Sequence, residues 1–177
     1  GLSRDTILAA KIGRLSPEKG HSDLLNAFSS VIGRGYDVHL ALIGIGPLES
    51  VLRKQAADLR LEKRVHFCGF RKDMVDCYNS IDLVIQASYT EGMPNVILEA
   101  LVMGLPVIAT DVGGTGEIVN NGVSGRLLSA GDPGGLAEAI IDFFNSPSVY
   151  KDMALFGRTR VRTEFDSQKR ILMMKRI

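Results

Sequence analysis

The sequence predicts an α/β fold built on one doubly wound parallel sheet. Short apolar runs alternate with longer segments of helical periodicity along most of the 177 residues. Runs such as ILAAKI at 7–12 and VHLALI at 38–43 lack regular polar alternation, which indicates strands buried on both faces. Strands that alternate with helices join through right-handed crossovers into one parallel sheet, so we expect five or six such units.

Each of the first units consists of a strand, a loop and a helix. The predicted strands lie at 7–12, 38–43, 65–68 and 81–87, and the helices that follow them lie at 22–32, 48–59, 74–79 and 95–103. In the first helix, Leu24, Phe28 and Ile32 recur at helical spacing. Pro94 suits the first position of the fourth helix, because that position needs no backbone N–H group.

The remaining chain contains two further strands and a helical C-terminal region. Strands are predicted at 105–110 and 125–128, Glu117 opens a short helix between them, and an amphipathic helix covers 136–144. The regular alternation then stops, and residues 146–177 are predicted to form C-terminal helices, of which 167–177 is basic and apolar. We therefore expect residues 1–177 to form a single domain.

Composition excludes several classes of protein. The chain is 45% hydrophobic and 23% charged, as in ordinary globular domains. Its net charge of +1 gives no reason to expect a nucleic-acid partner. No apolar run approaches membrane-spanning length, and the first residues show no leader pattern. Cys68 and Cys77 are predicted to be buried reduced thiols, which favours a cytoplasmic protein.

Two acids flank a turn at the predicted ligand edge of the sheet. Glu91 precedes the turn Gly-Met-Pro-Asn, and Glu99 lies about one helical turn into the following helix. Ligands of parallel α/β sheets bind outside the carboxyl ends of the strands, where both acids can face a polyol. The free amides of the turn suit an anion. The alternative is that Glu91 caps the turn and Glu99 lies on a solvated helix face.

Two cations follow the first strand. Arg14 and Lys19 in GRLSPEKG can reach the same edge and imply an anionic ligand, such as a diphosphate, although they could also be solvated loop residues. No G-x-G-x-x-G follows the first strand, which argues against a dinucleotide-dependent dehydrogenase. The sequence also lacks a phosphate-binding P-loop and an Asp-x-Asp metal pair, so we expect the cations to take the place of a metal.

Several motifs in order along residues 7–144 resemble a known enzyme family. GRLSPEKG, GIGP, FCGF, EGMPNVILEA, GLPVIATDVGG and NGVSGRLL are similar to the C-terminal half of GT-B glycosyltransferases, in particular the retaining group called family 4. The resemblance implies a Rossmann-like domain that binds a nucleoside-diphosphate sugar without a metal. Uridine is the first candidate for the base, and guanosine and adenosine are the alternatives. One departure is visible, because Thr115 and Gly116 precede Glu117 where many members have a proline.

The resemblance also assigns roles to residues. It implies that Arg14 and Lys19 bind the donor diphosphate and that Glu91 contacts the hydroxyls of the donor sugar. The other donor-binding residues it implies are Gly92, Met93, Pro94 and Asn95 at the sugar and phosphate, Glu99 at the ribose, and Phe70 and Arg71 beside the base.

The acceptor, a glycan or a lipid, is expected to bind a separate N-terminal domain that this chain lacks, so the chain alone is expected to be inactive. Three alternatives remain open: a nucleotide-sugar epimerase of the same architecture, a binding module without turnover, and, less favoured, a glycosidase that uses the two acids. The basic segment KRILMMKRI at 169–177 can pack against the missing half or touch the inner membrane face.

Overall fold

The structure, a computed structural model, describes residues 6–165. The strands are β1 (Ile7–Ile12), β2 (Val38–Ile43), β3 (Val65–Gly69), β4 (Leu83–Gln86), β5 (Val107–Thr110) and β6 (Arg126–Leu128). The helices are α1 (His21–Gly33), α2 (Glu49–Asp58), α3 (Met74–Asn79), α4 (Asn95–Met103), α5 (Thr115–Ile118), α6 (Pro133–Asn145) and α7 (Pro147–Glu164). A short 3-10 turn, Pro17–Lys19, precedes α1.

The strands form one six-stranded sheet in the order β3-β2-β1-β4-β5-β6, and every pair is parallel. The predicted doubly wound sheet is therefore confirmed. The direction of winding reverses between β1 and β4, which lie side by side in the centre of the sheet. A crevice opens at such a reversal because the loops that follow the two strands turn to opposite faces.

Helices cover both faces of the sheet. On one face, α1, α2 and α6 enclose a core that includes Leu24, Phe28 and Ile140. On the other face, α3, α4 and α7 enclose a second core around Ile97, Leu101 and Val161. The central strands β2, β4 and β5 are buried at every position, as apolar runs without alternation predict.

Some predicted details differ from the structure. Strands β4, β5 and β6 are one to three residues shorter than expected, and Pro94 lies at the N-cap of α4 rather than at its first helical position. Cys77 is buried, but the prediction of a buried Cys68 is wrong: β3 is an edge strand, and the Cys68 side chain is exposed. The segment 167–177 lies outside the described residues.

The loops at the carboxyl ends of the strands are tied to one another by backbone contacts. Leu15 after β1 donates its backbone N–H to Ile45 after β2 at 3.1 Å. Gly20 has a left-handed φ of 63°, and a side chain there would overlap the carbonyl oxygen of Ala87 after β4. Only glycine satisfies both requirements, so Gly20 lets the first loop approach the fourth strand closely.

His21, the first residue of α1, fixes the start of this loop. Its side chain is 2% exposed, and Nε2 lies 3.0 Å from the carbonyl oxygen of Arg14. Because a carbonyl only accepts hydrogen bonds, Nε2 carries a hydrogen. Burial, followed by the nearby Lys11 cation, lowers the pKa of His21 to about 4.

We predict that alanine substitutions at two glycines have opposite effects on stability. Gly20→Ala should lower the free energy of unfolding by at least about 2 kcal/mol, because it combines a left-handed backbone with overlap of a backbone oxygen. Gly33→Ala at the end of α1 meets no atom within 4 Å and should be neutral or stabilising by up to about 1 kcal/mol. Urea denaturation of the two variants tests this, and equal losses would contradict the packing described for Gly20.

A second prediction concerns acid. The unfolded chain binds a proton at His21 below about pH 6.5, whereas the native state does not until about pH 4, so stability should fall as the pH falls between these values. The loss assigned to His21 is up to about 3 kcal/mol. In His21→Gln, the free energy of unfolding should decline less steeply over this range. Urea denaturation of both proteins at a series of pH values between 7 and about 4 measures this decline. The same dependence of the free energy of unfolding on pH in both proteins would refute the prediction.

Candidate functional site

The reversal between β1 and β4 brings a cation and an acid into contact. Lys19 Nζ lies 2.8 Å from Oε1 and 2.9 Å from Oε2 of Glu91. The side chains are 23% and 8% exposed, so the pair is open to a ligand on the side of Lys19. The sequence predicted that these loops would meet at one edge of the sheet, and the structure places them there.

Glu91 has further donors that the sequence analysis missed. Ser88 Oγ donates to Glu91 Oε1 at 2.7 Å, and Gln86 Nε2 donates to the same oxygen. Behind Gln86, Lys11 Nζ donates to Gln86 Oε1 at 3.0 Å. Lys11 and Gln86 lie within runs that were interpreted only as core strands. A lysine in such a run was the available signal, because buried lysines are rare without a partner.

Glu99 belongs to a second part of the edge. Tyr78 donates its hydroxyl to Glu99 Oε2 at 2.7 Å, and burial together with the Glu99 carboxylate raises the Tyr78 pKa above its usual range. Glu99 faces a cavity of about 440 Å³ at the carboxyl ends of β1, β2 and β3. The cavity is lined by Glu99, Arg14, Phe70 and Arg71, by the glycines Gly13 and Gly44, and by the apolar residues Ile12, Ile43, Ile45 and Met74.

The predicted site residues therefore fall into two groups. Lys19 and Glu91 form one ion pair, while Arg14 and Glu99 line the neighbouring cavity with the two residues predicted to lie beside a base. Arg71 is held by Asp73 through a hydrogen bond of 2.7 Å from Nε and a second bond from Nη2. Phe70 is 66% exposed, which leaves its ring available to a planar ligand.

The turn between the acids is held by the loop that follows β5. Gly114 donates its backbone N–H to the carbonyl oxygen of Gly92 at 2.7 Å. Gly113 has a φ of 54°, and a side chain there would overlap the carbonyl oxygen of Glu91. The carbonyl groups of the turn thus point toward the glycine pair. Within residues 6–165 the N–H groups of Gly92 and Met93 donate no hydrogen bond.

The start of α4 adds further donors. Pro94 is buried, and Asn95, the first residue of the helix, is exposed. The Asn95 N–H also has no acceptor within the described residues, as expected for the first turn of a helix. Thr115 and Gly116 precede Glu117 where many members of the resembled family have a proline. Thr115 is fully buried and begins α5, so a helix begins at this point without the proline.

Other features of the described chain lie apart from this edge. A larger cavity of about 540 Å³ lies between α7 and residues 120–124, remote from the two acids. Among residues 6–165, no cluster of three or more His, Cys, Asp and Glu side chains is placed to hold a metal ion. Over the same residues, none of the helices has the length and apolar character needed to cross a membrane.

This geometry suits a ligand with several chemical parts. The cavity offers apolar walls and one carboxylate, which fit a flat ring system joined to a group with hydroxyls. The Lys19–Glu91 pair offers a cation for an anionic group beside an acceptor for hydroxyls, and the free amides lie next to it. A ligand that spans both parts would place its anionic section near Arg14 and Lys19.

The comparisons with known proteins agree with this arrangement. Residues 1–160 match the family Glycosyl transferases group 1. The capsular polysaccharide biosynthesis glycosyltransferase CapM of Staphylococcus aureus is 30% identical over 168 residues, which cover 94% of this chain and 44% of CapM. The chain thus spans about half the length of the curated relatives it matches.

Two solved structures share the fold. HepE of Anabaena, solved in complex with UDP-glucose, is 28% identical with a TM-score of 0.89, over 98% of this chain and 50% of HepE. The C-terminal domain of LpcC, a group 1 family protein of Francisella tularensis, has a TM-score of 0.84 at 22% identity, over 91% of this chain and 87% of that domain. The resemblance seen in the sequence motifs is confirmed, and the chain belongs to the group 1 glycosyl transferases, with the Rossmann-like fold of the C-terminal half of a GT-B enzyme.

Proposed function

We propose that this chain is the donor-binding half of a glycosyltransferase that moves a sugar from a nucleoside-diphosphate sugar to an acceptor with retention of anomeric configuration. The observation that carries the proposal is the Lys19–Glu91 ion pair beside the Glu99 cavity, at the reversal of the sheet. Retention is taken from the resemblance to family 4. Catalysis is assigned to Glu91, Arg14 and Lys19, and the complete reaction requires a second domain that supplies the acceptor.

The nucleoside part of the donor fits the 440 Å³ cavity. Glu99 has one oxygen bonded to Tyr78, and its other oxygen remains to accept hydrogen bonds from the ribose hydroxyls. Phe70 and Arg71 line the same cavity and would lie beside the base. The complex of HepE with UDP-glucose supports uridine as the base, because HepE shares this fold across nearly the whole chain.

The sugar and the diphosphate fit the Lys19–Glu91 pair. A departing diphosphate gains negative charge in the transition state, and the cations of Lys19 and Arg14 would stabilise that charge. Glu91 would accept hydrogen bonds from the sugar hydroxyls while the anomeric carbon becomes positive. The amides of residues 92–95 would bind sugar and phosphate oxygens at the start of α4. Each assigned residue thus serves one part of the donor.

The acceptor and the cellular setting belong to the same proposal. The acceptor is proposed to be a glycan or a lipid, and the name of CapM, a glycosyltransferase of capsular polysaccharide biosynthesis, supports a role in glycan assembly. The proposed enzyme acts in the cytoplasm, and its expected contact with the inner membrane face depends on the basic segment 169–177, outside the described residues.

The two acids should respond differently to substitution. Glu99→Gln should weaken the binding of UDP and of UDP-glucose by the same amount, about 1.5 to 3 kcal/mol, because both ligands contain the ribose. Glu91→Gln should leave UDP affinity nearly unchanged and lower kcat of the full-length enzyme by a larger factor. Calorimetry on the chain and turnover assays on the full-length enzyme separate these effects. Equal affinity losses in both variants, with turnover preserved in Glu91→Gln, would reverse the assignment of the acids.

Donor binding should also be independent of a metal. Because Arg14 and Lys19 supply positive charge at the diphosphate, UDP affinity measured by calorimetry should be the same with and without excess EDTA. Lys19→Met should weaken UDP binding under both conditions, while the control Lys63→Met, at an exposed position before β3, should not. Loss of UDP binding on addition of EDTA would contradict this prediction.

A further inference from the structure

Lys11 is a buried cation that the proposed donor chemistry does not use. Its side chain is 1% exposed and lies on β1, a central strand of the sheet. Burial of an ammonium group is costly, and it lowers the Lys11 pKa to about 7; the Glu91 carboxylate opposes this shift, and the Lys19 cation adds to it. Because this burial is unfavourable, the presence of Lys11 beneath the site indicates that it has a role in the site.

The Lys11 ammonium fixes the orientation of the Gln86 amide. Lys11 Nζ donates to Gln86 Oε1 at 3.0 Å. A charged ammonium group has donors only, so the amide oxygen must face it and the amide nitrogen must point away. On that side, Gln86 Nε2 donates to Oε1 of Glu91, which as a carboxylate only accepts. While Lys11 is protonated, a flipped amide would break both bonds.

The two carboxylate oxygens of Glu91 consequently differ in the number of hydrogen bonds that they accept. Oε1 accepts from Gln86, from Ser88 at 2.7 Å and from Lys19 at 2.8 Å. Oε2 accepts only from Lys19, at 2.9 Å, among the residues that the structure describes. An sp² oxygen has two lone pairs, so Oε1 is fully used and Oε2 keeps capacity for a hydroxyl of a ligand.

We propose that Lys11 is a positioning residue that, through the Gln86 amide, anchors Oε1 of Glu91 and so presents Oε2 to a hydroxyl of the donor sugar. The inference rests on the proposed function and adds a selective effect to it: Lys11 influences binding of the sugar and not of the nucleotide. Among residues 6–165, the Gln86 amide is the hydrogen-bonded link between Lys11 and Glu91, so substitutions at Lys11 and Gln86 should not have additive effects.

The relay depends on the Lys11 proton. The charged or titratable groups that face Lys11 are Glu91 in the loop after β4, Lys19 in the loop after β1, and His21 at the start of α1. A neutral amine donates a weaker hydrogen bond than an ammonium group, so loss of the proton weakens the hold of Lys11 on the amide. The preference for nucleotide sugar over nucleotide should therefore fall as the pH rises through the Lys11 pKa.

The relay can be tested without ligand by NMR. In the unaltered chain, the Gln86 side-chain NH₂ signals should shift with pH together with the Cε signal of Lys11, with a common midpoint near 7. In Lys11→Met the NH₂ signals should not titrate in this range, and in the control Lys63→Met they should behave as in the unaltered chain. Gln86 signals that are insensitive to Lys11 protonation would overturn the inference.

The functional consequence is tested by calorimetry with UDP and UDP-glucose, and with GDP and GDP-mannose as a second pair. The preference for the nucleotide sugar is the Kd of the nucleotide divided by the Kd of the nucleotide sugar. Lys11→Met should reduce this ratio about tenfold and change the Kd of the nucleotide itself less than about twofold. Gln86→Leu should give the same result, and the double variant should lose no more than either single variant. Lys63→Met should leave the ratio unchanged.

The outcomes separate the inference from the proposed function. If the unaltered chain binds neither pair, the proposed function fails, and the NMR titration still decides whether the relay exists. If nucleotide sugars bind and both Lys11→Met and Gln86→Leu keep the ratio, the positioning role is wrong. Equal losses for nucleotide and nucleotide sugar would mean a structural role, and thermal unfolding of each variant checks that it is folded at the temperature of the assay.

Discussion

The ion pair between Lys19 and Glu91 joins loops that are 72 residues apart in the sequence and belong to the two halves of the doubly wound sheet. Its geometry depends on neighbouring contacts between the same halves. Tyr89 donates its backbone N–H to Glu18 at 2.8 Å, and Gly20 allows the first loop to lie against the fourth strand. The crevice is therefore shaped by contacts across the reversal and not by either half alone.

Part of the positive charge in the crevice is neutralised before any ligand binds. Lys19 forms an ion pair with Glu91, and the negative charge of the same carboxylate also stabilises the buried Lys11 ammonium group. Under the proposed function, the ammonium group of Lys19 has three donors and can bind a diphosphate oxygen while it keeps a bond to Glu91. One acceptor position on Glu91 then becomes available to the sugar. The arrangement would couple recognition of the anion to recognition of the sugar.

Much of the fold could be predicted because glycine and proline mark its loops and its central strands are continuously apolar. The acids and cations of the loops were also recognisable, since charged residues stand out there. Lys11 and Gln86 were missed because periodicity does not reveal which polar side chain on a buried strand faces the crevice. Cys68 was placed wrongly because a short apolar run does not disclose that its strand lies at the edge of the sheet.

The left-handed Gly113 lies against the carbonyl oxygen of Glu91, and Gly114 is bonded to Gly92. These contacts involve backbone atoms, so they constrain the path of both segments whatever side chains they carry. Consider a chimera in which residues 88–95 come from one relative and residues 112–115 from another relative with a larger side chain in place of Gly113. That side chain would overlap the Glu91 carbonyl oxygen and displace the turn that carries Glu91. Under the proposed function, a loop graft meant to change donor preference should therefore transfer both segments together.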